Sequence, residues 1–386
     1  MFSQSDSEPL SPAPESVAAF CQRREPYLPN AQTDQPFIQA MRDITHWHQQ
    51  QSPWYRRFAE LNGVEAAEIQ TMDDVLALPP IHANFFKRNQ VLSLPDQGQL
   101  KTLTSSGTTG QKSQMFFDEF TLGHARDMVL RIMEQRGVMS DQPAHYLVNA
   151  YEPYEGLKVG TSNTNQFLMQ FAPVAEQFWA LRYLGAEGHQ FDGFGAINKL
   201  KQWAQGDTPV RIIGFPAFLH FILQRMASMN EAPLRLPEGS WVMFGGGWKG
   251  HADQAISRED MRAQIAHWLG IPETSVIESF GSVEHSIPYV TSRQHRLHQP
   301  IWSRVVIRDV KTLQPLPPGE PGFLSFVSPY ITSVPAHSIV MGDMAVWHQP
   351  DLADAEEPPT PWFEILGRAG VSANKSCAVA AAEMLK

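Results

Sequence analysis

The feature that most constrains the fold is an alternation of short apolar runs with helical stretches in the middle of the chain. Apolar runs occur at 146–148, 210–214, 241–244 and 275–280, and helical stretches lie near 193–205, 217–229 and 257–269. Strands separated by helices of about 10–15 residues are typical of crossover units. The pattern therefore predicts an α/β fold with a largely parallel sheet flanked by helices. The predicted strands end in Gly-containing turns, and ligand sites in such sheets collect at these carboxyl ends.

The two flanks of this region have a different character. Apolar residues at helical spacing predict helices within 36–62 and at 119–137. Beyond residue 300, short apolar runs separated by Pro- and Gly-rich turns favour a small β-rich lobe. We predict an α/β core at 1–300 with a helical N-terminal arm at 1–97, a β-rich lobe at 301–370 and a C-terminal tail at 371–386.

Charge and composition exclude several classes of function. The net charge of −10 argues against a nucleic acid or an anionic membrane as a partner. Two cysteines cannot form a disulfide framework, and no apolar run approaches the roughly 20 residues that a membrane span needs. The N-terminus lacks the features of a signal peptide. We therefore expect a soluble, cytoplasmic protein.

A run of glycines and hydroxyl residues at 104–113 is the strongest candidate for a ligand site. Glycines let backbone N–H groups converge on a phosphate, and hydroxyls add donors. The candidate nucleotide-binding residues are Thr104, Ser105, Ser106, Gly107, Thr108, Thr109, Gly110 and Lys112. Gln111 separates Gly110 from Lys112, so the run is not a Walker A loop. From composition alone, a flexible surface loop is an equal alternative.

This run resembles the phosphate-loop signature of the adenylate-forming superfamily, which includes acyl-CoA synthetases, luciferases and peptide-synthetase adenylation domains. Further motifs follow in the superfamily's order: Gly245, Gly246 and Gly247; Phe280, Gly281, Ser282 and Glu284; Gly342 and Asp343; Gly367 and Arg368. The resemblance implies the N-terminal-domain fold of that superfamily and the use of ATP and Mg²⁺. It also implies that the glycine run and Phe280 contact adenine, Glu284 holds Mg²⁺, and Asp343 and Arg368 reach the ribose.

The superfamily usually adds a mobile C-terminal domain carrying a lysine for adenylation, but only residues 369–386 follow Arg368. We expect that domain to be missing. Lys249, beside the glycine run, is the first candidate to replace that lysine, and Lys112 is the second. A solvated loop lysine is the alternative for Lys249.

Short chains of this kind resemble the acyl-protein synthetases of the LuxE type. Those enzymes carry the activated acyl group on a cysteine near the C-terminus, which implies this role for Cys377. The adjacent Lys375–Ser376 segment places a cation nearby, which favours the nucleophilic thiolate. An inert Cys377 in an Ala-rich segment is the alternative, and Cys21 is a weaker candidate nucleophile.

The predicted reaction converts a carboxylic acid and ATP to an acyl-adenylate and pyrophosphate, followed by transfer to a thiol on this chain or on a partner acyl reductase or carrier. Phe215, Phe218 and Trp248 are expected to line the acyl pocket, which suits a fatty acid or an aromatic or heterocyclic acid. Similarity of stand-alone truncated relatives to enzymes that activate phenazine carboxylates favours an aromatic acid. An aryl-CoA ligase and an inactive AMP- or carboxylate-binding module remain alternatives, and the oligomeric state stays open, a homodimer included.

Overall fold

A computed structural model describes residues 13–94, 100–104, 114–154, 160–248 and 250–369. The α-helices in these ranges are α1 (Glu15–Cys21), α2 (Asn30–Gln51), α3 (Pro53–Leu61), α4 (Met72–Ala77), α5 (Glu119–Arg136), α6 (Gly160–Leu168), α7 (Gly193–Trp203), α8 (Pro216–Ser228) and α9 (Arg258–Leu269). The strands are β1 (Ile81–His82), β2 (Lys101–Thr104), β3 (Gln114–Phe117), β4 (Ala144–Tyr151), β5 (Val174–Tyr183), β6 (His189–Phe191), β7 (Val210–Gly214), β8 (Trp241–Gly245), β9 (Val276–Ser282), β10 (His285–Val290), β11 (Leu297–His298), β12 (Arg304–Arg308), β13 (Gly322–Val327), β14 (Ser338–His348) and β15 (Trp362–Arg368).

The chain divides into two compact units. Unit 1 comprises Met1–Ile132, Gly281–Tyr289 and Arg296–Lys386, and unit 2 comprises Met133–Phe280 and Val290–His295. This division differs from the predicted boundaries at residues 300 and 370. The N-terminal arm belongs with the β-rich segment because β1 pairs in parallel with β14.

Unit 2 is built on the predicted parallel sheet. The strand order is β10-β9-β8-β7-β4-β5-β6, and the chain passes between the two units at β9 and β10. Strands β5, β4, β7, β8 and β9 pair in parallel, whereas β6 is antiparallel to β5. Helices α7, α8 and α9 bury Leu200, Leu223 and Ile265 in one cluster with Ile212 and Val242 of the sheet. The prediction of a largely parallel sheet flanked by helices is confirmed.

Unit 1 contains the predicted β-rich part as an antiparallel sheet in the order β11-β15-β14-β13-β12. The helical arm packs onto it through a buried arginine, Arg304, whose Nη2 donates to Asp34 Oδ1 and Thr33 Oγ1, each at 2.9 Å. The helical stretch expected within 36–62 is broken at Ser52. There Pro53 begins α3, and Ser52 Oγ accepts a hydrogen bond from the Tyr55 N–H at 3.3 Å.

Candidate active site

The predicted phosphate loop connects a short β-hairpin in unit 1. Thr104, the last residue of β2, pairs with Gln114, the first residue of β3. The pairing holds the two ends of the connection beside each other, as antiparallel partners must be. Ser105, Ser106, Gly107, Thr108, Thr109, Gly110 and Lys112 lie outside the described residues, as do Lys249 and Cys377. Their roles therefore stay predictions.

Asp343 and Arg368, predicted as ribose-binding residues, face each other across neighbouring strands of unit 1. They are direct partners in the β14–β15 ladder, and Arg368 Nε lies 3.7 Å from Asp343 Oδ1. The ladder shifts register immediately after this pair, between Met344 and Ala345. Such irregularities often re-aim side chains next to active sites. The Asp343 side chain is 16% exposed and that of Arg368 is 64% exposed, so the cation is the accessible member of the pair.

Glu284 brings a second carboxylate close to Asp343. Burial raises the pKa of Asp343, the charge of Arg368 opposes that rise, and the charge of Glu284 adds to it. Glu284 itself is buried. Unit 1 thus collects three predicted site residues: Glu284, Asp343 and Arg368. Within the described ranges, no group of three or more His, Cys, Asp or Glu side chains is arranged as a metal site. Two neighbouring carboxylates nevertheless suit Mg²⁺, which usually takes one or two carboxylates together with phosphate oxygens.

A buried aromatic cluster fixes the turn that carries Glu284. The His285 N–H donates to Ser282 Oγ at 3.2 Å, which closes the turn around Glu284. The His285 ring stacks on Phe326 at a centroid distance of 4.5 Å, and its Nε2 lies 3.0 Å from Tyr289 Oη. Burial lowers the pKa of His285 to about 3, so the ring is neutral at physiological pH. Ser282, predicted to bind nucleotide, also has this local role in positioning Glu284.

Unit 2 places the glycine run at the carboxyl end of its sheet. Strand β8 ends at Gly245, whose ladder partner on β9 is Ser279, the residue before Phe280. Ser279 Oγ donates to the Phe244 carbonyl oxygen at 2.9 Å. Gly246 has a φ of 80°, a left-handed conformation that favours glycine, and Gly246 and Gly247 are exposed. The backbone of this turn is therefore exposed, close to the residue that precedes the 280–284 motif. Gly281 of that motif is also exposed and belongs to unit 1.

The three predicted substrate residues also lie in unit 2, in or beside an aromatic cluster. Phe215 and Phe218, at the start of α8, are buried, and their ring centroids are 6.2 Å apart. Trp248 is half-buried and meets the His220 ring edge-on at 5.5 Å. The sequence interpretation missed His251, whose ring lies 6.1 Å from that of Phe218. Its only sequence signal was a position shortly after the glycine run.

Two further findings change the list of candidates. Cys21 is fully buried in α1, and burial raises the pKa of its thiol far above its usual range. The proposal that Cys21 is a nucleophile is therefore wrong, because a nucleophilic cysteine needs an accessible thiolate.

Asn149, at the end of β4, is a buried polar residue that the sequence interpretation did not single out. The only sequence feature that distinguishes Asn149 is that it is a polar residue at the end of an apolar run.

The chain is similar to known ligases over most of its length. A family model described as "Acyl-protein synthetase, LuxE" matches residues 28–386. A long-chain-fatty-acid–luciferin-component ligase of Vibrio harveyi is 24% identical over 336 residues, covering 86% of this chain and 83% of the relative. A ligase of the same name from Aliivibrio fischeri is 22% identical over 347 residues, covering 90% and 88%.

Solved structures show the same fold. That of 2-hydroxyisobutyryl-CoA ligase in the postadenylation state, in complex with 2-HIB-AMP, superposes with a TM-score of 0.63 at 14% identity. The match covers 95% of this chain and 73% of that chain. The predicted fold, that of adenylate-forming ligases, is confirmed. Among the described helices, none is both long and apolar enough to cross a membrane.

Proposed function

This chain belongs to the LuxE acyl-protein synthetase family, and from that membership we propose that it activates a carboxylic acid with ATP and passes the acyl group to a thiol. The intermediate is the acyl-adenylate, and pyrophosphate is released as it forms. The curated relatives are ligases, which supports the assignment to this class of enzyme.

The observation that carries the proposal is the meeting of Glu284, Asp343 and Arg368 in unit 1. The three residues come from separate segments, yet the charges of Glu284 and Arg368 both act on the carboxyl group of Asp343. An ionised Asp343 can accept hydrogen bonds from both hydroxyls of a ribose. The charge of Arg368 opposes the rise in the pKa of that carboxyl and so favours its ionised form, and Arg368 is exposed enough to reach the nucleotide.

Glu284 is the residue that would hold Mg²⁺. A bound Mg²⁺ would neutralise charge on the triphosphate and on the departing pyrophosphate. The fit rests on the Glu284 carboxylate, whose charge acts on Asp343, the proposed ribose ligand. The buried cluster around His285 holds Glu284 in place for this role.

The first chemical step is an in-line displacement at the α-phosphorus of ATP. A carboxylate oxygen of the acid forms a bond to phosphorus, and the bond to the bridging oxygen breaks to release pyrophosphate. Catalysis of such a step depends mainly on orientation and on positive charge near the phosphorus. We assign that charge to Lys249, with Lys112 as the alternative.

The second step transfers the acyl group to sulfur. A thiolate attacks the carbonyl carbon, the bond from that carbon to the phosphate oxygen breaks, and AMP leaves with the electron pair. Cys377 is the proposed acceptor on this chain, and a partner acyl reductase or carrier is the proposed final acceptor. The buried thiol of Cys21 is unsuited to the role.

Two classes of acid fit the proposal. The names of the Vibrio harveyi and Aliivibrio fischeri relatives specify a long-chain fatty acid. The aromatic side chains of Phe215, Phe218 and Trp248 support an aromatic or heterocyclic acid instead, because flat rings pack well against one another.

The test is acid-dependent release of pyrophosphate from ATP, measured against a panel that contains both classes. We expect release with at least one acid, and a loss of about 100-fold in kcat/KM for Glu284→Gln. Glu364→Gln, on the exposed part of β15, is the matched control and should stay within about twofold of wild type. If no acid causes release of pyrophosphate, the proposed enzyme activity is wrong and the alternative of an inactive binding module stands. Formation of an acyl-CoA, rather than an acyl-protein, would identify a CoA ligase.

A further inference from the structure

Asn149 places a buried, unpaired amide at the end of the central strand of unit 2. It is 1% exposed, and within the part of the chain that the structure describes neither Nδ2 nor Oδ1 has a hydrogen-bond partner. Burying a primary amide without hydrogen bonds is costly, and native proteins rarely retain one. Asn149 therefore keeps hydrogen-bonding capacity that the described part of the fold does not use.

The position of this amide is set by the strand register. Asn149 is the ladder partner of Gly214, which in turn pairs with Phe244, so the three residues form one row across the sheet. Side chains two residues apart on a strand share a face, and the β4–β7 register is unbroken up to Asn149. Asn149 thus lies on the face of Leu147, which packs in the cluster with α7, α8 and α9.

The backbone around Asn149 is irregular. Gly214 has a φ of 119°, and a Cβ at this position would lie 2.6 Å from the Asn149 carbonyl oxygen. Only glycine fits there, so the row has no side chain between Asn149 and Phe244. The β4–β5 ladder also shifts register between Val148 and Tyr151. Glycines and bulges of this kind mark places where a strand re-aims a side chain or admits a ligand.

The start of α8 is hydrogen-bonded to the backbone of Asn149. The Phe215 N–H donates to the Asn149 carbonyl oxygen at 2.9 Å, and Phe215 is the N-cap of α8. No side chain caps this helix, and Pro216 opens it. The positive end of the helix dipole therefore lies next to the backbone of Asn149. The Phe215 ring also faces that of Tyr151, two residues along the chain from Asn149, with the ring centroids 6.3 Å apart.

We propose that Asn149 is a specificity-determining residue, whose amide binds a hydroxyl group on the body of the acid. A hydroxyl can accept from Nδ2 and donate to Oδ1, which uses both unpaired atoms. The substrate class is then a hydroxylated carboxylic acid with an apolar or aromatic frame, rather than an unsubstituted fatty acid. This inference rests on the proposed adenylation and on the acyl site at Phe215 and Phe218.

The test compares matched acids in the pyrophosphate assay with wild type and Asn149→Leu. The pairs are hydroxybenzoates with benzoate and hydroxydecanoates with decanoate. We expect wild type to favour a hydroxylated member by about 10- to 100-fold in kcat/KM, and Asn149→Leu to lose that preference while it still uses the unsubstituted member. Equal use of both members by wild type, or a preference unchanged in the variant, overturns the inference and leaves the proposed function intact. No release from any acid overturns the proposed function, and the inference with it.

A thermal measurement without substrate separates recognition from a structural role. Leucine removes the unpaired amide, so Asn149→Leu should raise the Tm of the free protein by about 2 to 4 °C. Ser240→Ala is the control, because Ser240 is a buried polar residue of unit 2 that is paired: its Oγ accepts from the Val210 N–H at 2.9 Å and donates to the Pro237 carbonyl oxygen at 2.6 Å. That variant should lower the Tm and leave the acid preference unchanged. A fall in Tm for Asn149→Leu, comparable to that of the control, would show that the amide is held within the fold and would overturn the proposal.

Discussion

Unit 1 should lose stability in mild acid because it buries neutral histidines. His285 lies under the Glu284 turn, and His337 stacks on His48 at 4.8 Å with its Nε2 2.9 Å from Tyr55 Oη. Burial lowers the pKa of both His285 and His337 from 6.5 to about 3. Because the folded pKa values are depressed, the unfolded chain binds more protons below pH 6.5, so stability is full above that pH and falls as the pH decreases.

The size of the effect follows from the two pKa values. At about pH 5 the unfolded histidines are protonated and the folded ones are not, which costs about 2 kcal/mol for each residue and about 4 kcal/mol for the pair. Denaturant titrations of the unit 1 transition at about pH 7.5 and pH 5 measure this difference directly. Loss of activity in the same range would then reflect unfolding around Glu284.

A variant tests which residues are responsible. His285→Phe keeps the stacking on Phe326 but removes one titrating group, so the loss of stability between about pH 7.5 and pH 5 should shrink by about 2 kcal/mol. His46→Gln, on the exposed face of α2, is the control and should show the wild-type dependence. An unfolding free energy that is the same at both pH values, or an unchanged dependence in His285→Phe, would refute the reasoning.

Three further predictions concern the site. Asp343→Asn should raise KM for ATP by about 10-fold or more in steady-state kinetics, because a charge-assisted partner of the ribose is lost; an unchanged KM would remove Asp343 from the nucleotide site. Gly214→Ala should destabilise unit 2 by about 1–3 kcal/mol in denaturant titrations, since its Cβ would collide with the Asn149 carbonyl oxygen, and wild-type stability would contradict that geometry. Cys377→Ser should abolish covalent labelling by radioactive acid without affecting pyrophosphate release, whereas Cys21→Ala should still be labelled; persistent labelling of the serine variant would exclude Cys377.

The sequence predicted strands most reliably where both faces of the strand are buried. Strands β7 and β8 are buried on both faces and consist of apolar residues and glycine apart from Arg211 in β7, so they were predicted correctly. Strand β5 was missed because only its middle is buried, and Glu176 and Arg182 interrupt its apolar pattern. The break at Ser52 was missed because the apolar spacing continues through Pro53 into α3.

Short motifs singled out the candidate site residues Glu284, Asp343 and Arg368, but not how they are held. The spacing of Glu284 and Asp343 along the chain says nothing about their proximity, which depends on how the turn at Glu284 and strand β14 are placed in unit 1. The anchoring of Glu284 by His285 depends on contacts with Phe326, which lies in another strand. Asn149 could not be identified because its unpaired amide is a property of the packed sheet.

The central claim is that the carboxylate of the acid attacks the α-phosphorus of ATP. The most direct measurement uses an accepted acid labelled with ¹⁸O in both carboxyl oxygens, ATP, and hydroxylamine as the trapping nucleophile, with mass spectrometry of the nucleotide product. The account predicts AMP that carries one ¹⁸O atom, together with unlabelled pyrophosphate. Unlabelled AMP, or ADP accompanied by labelled inorganic phosphate, would contradict it.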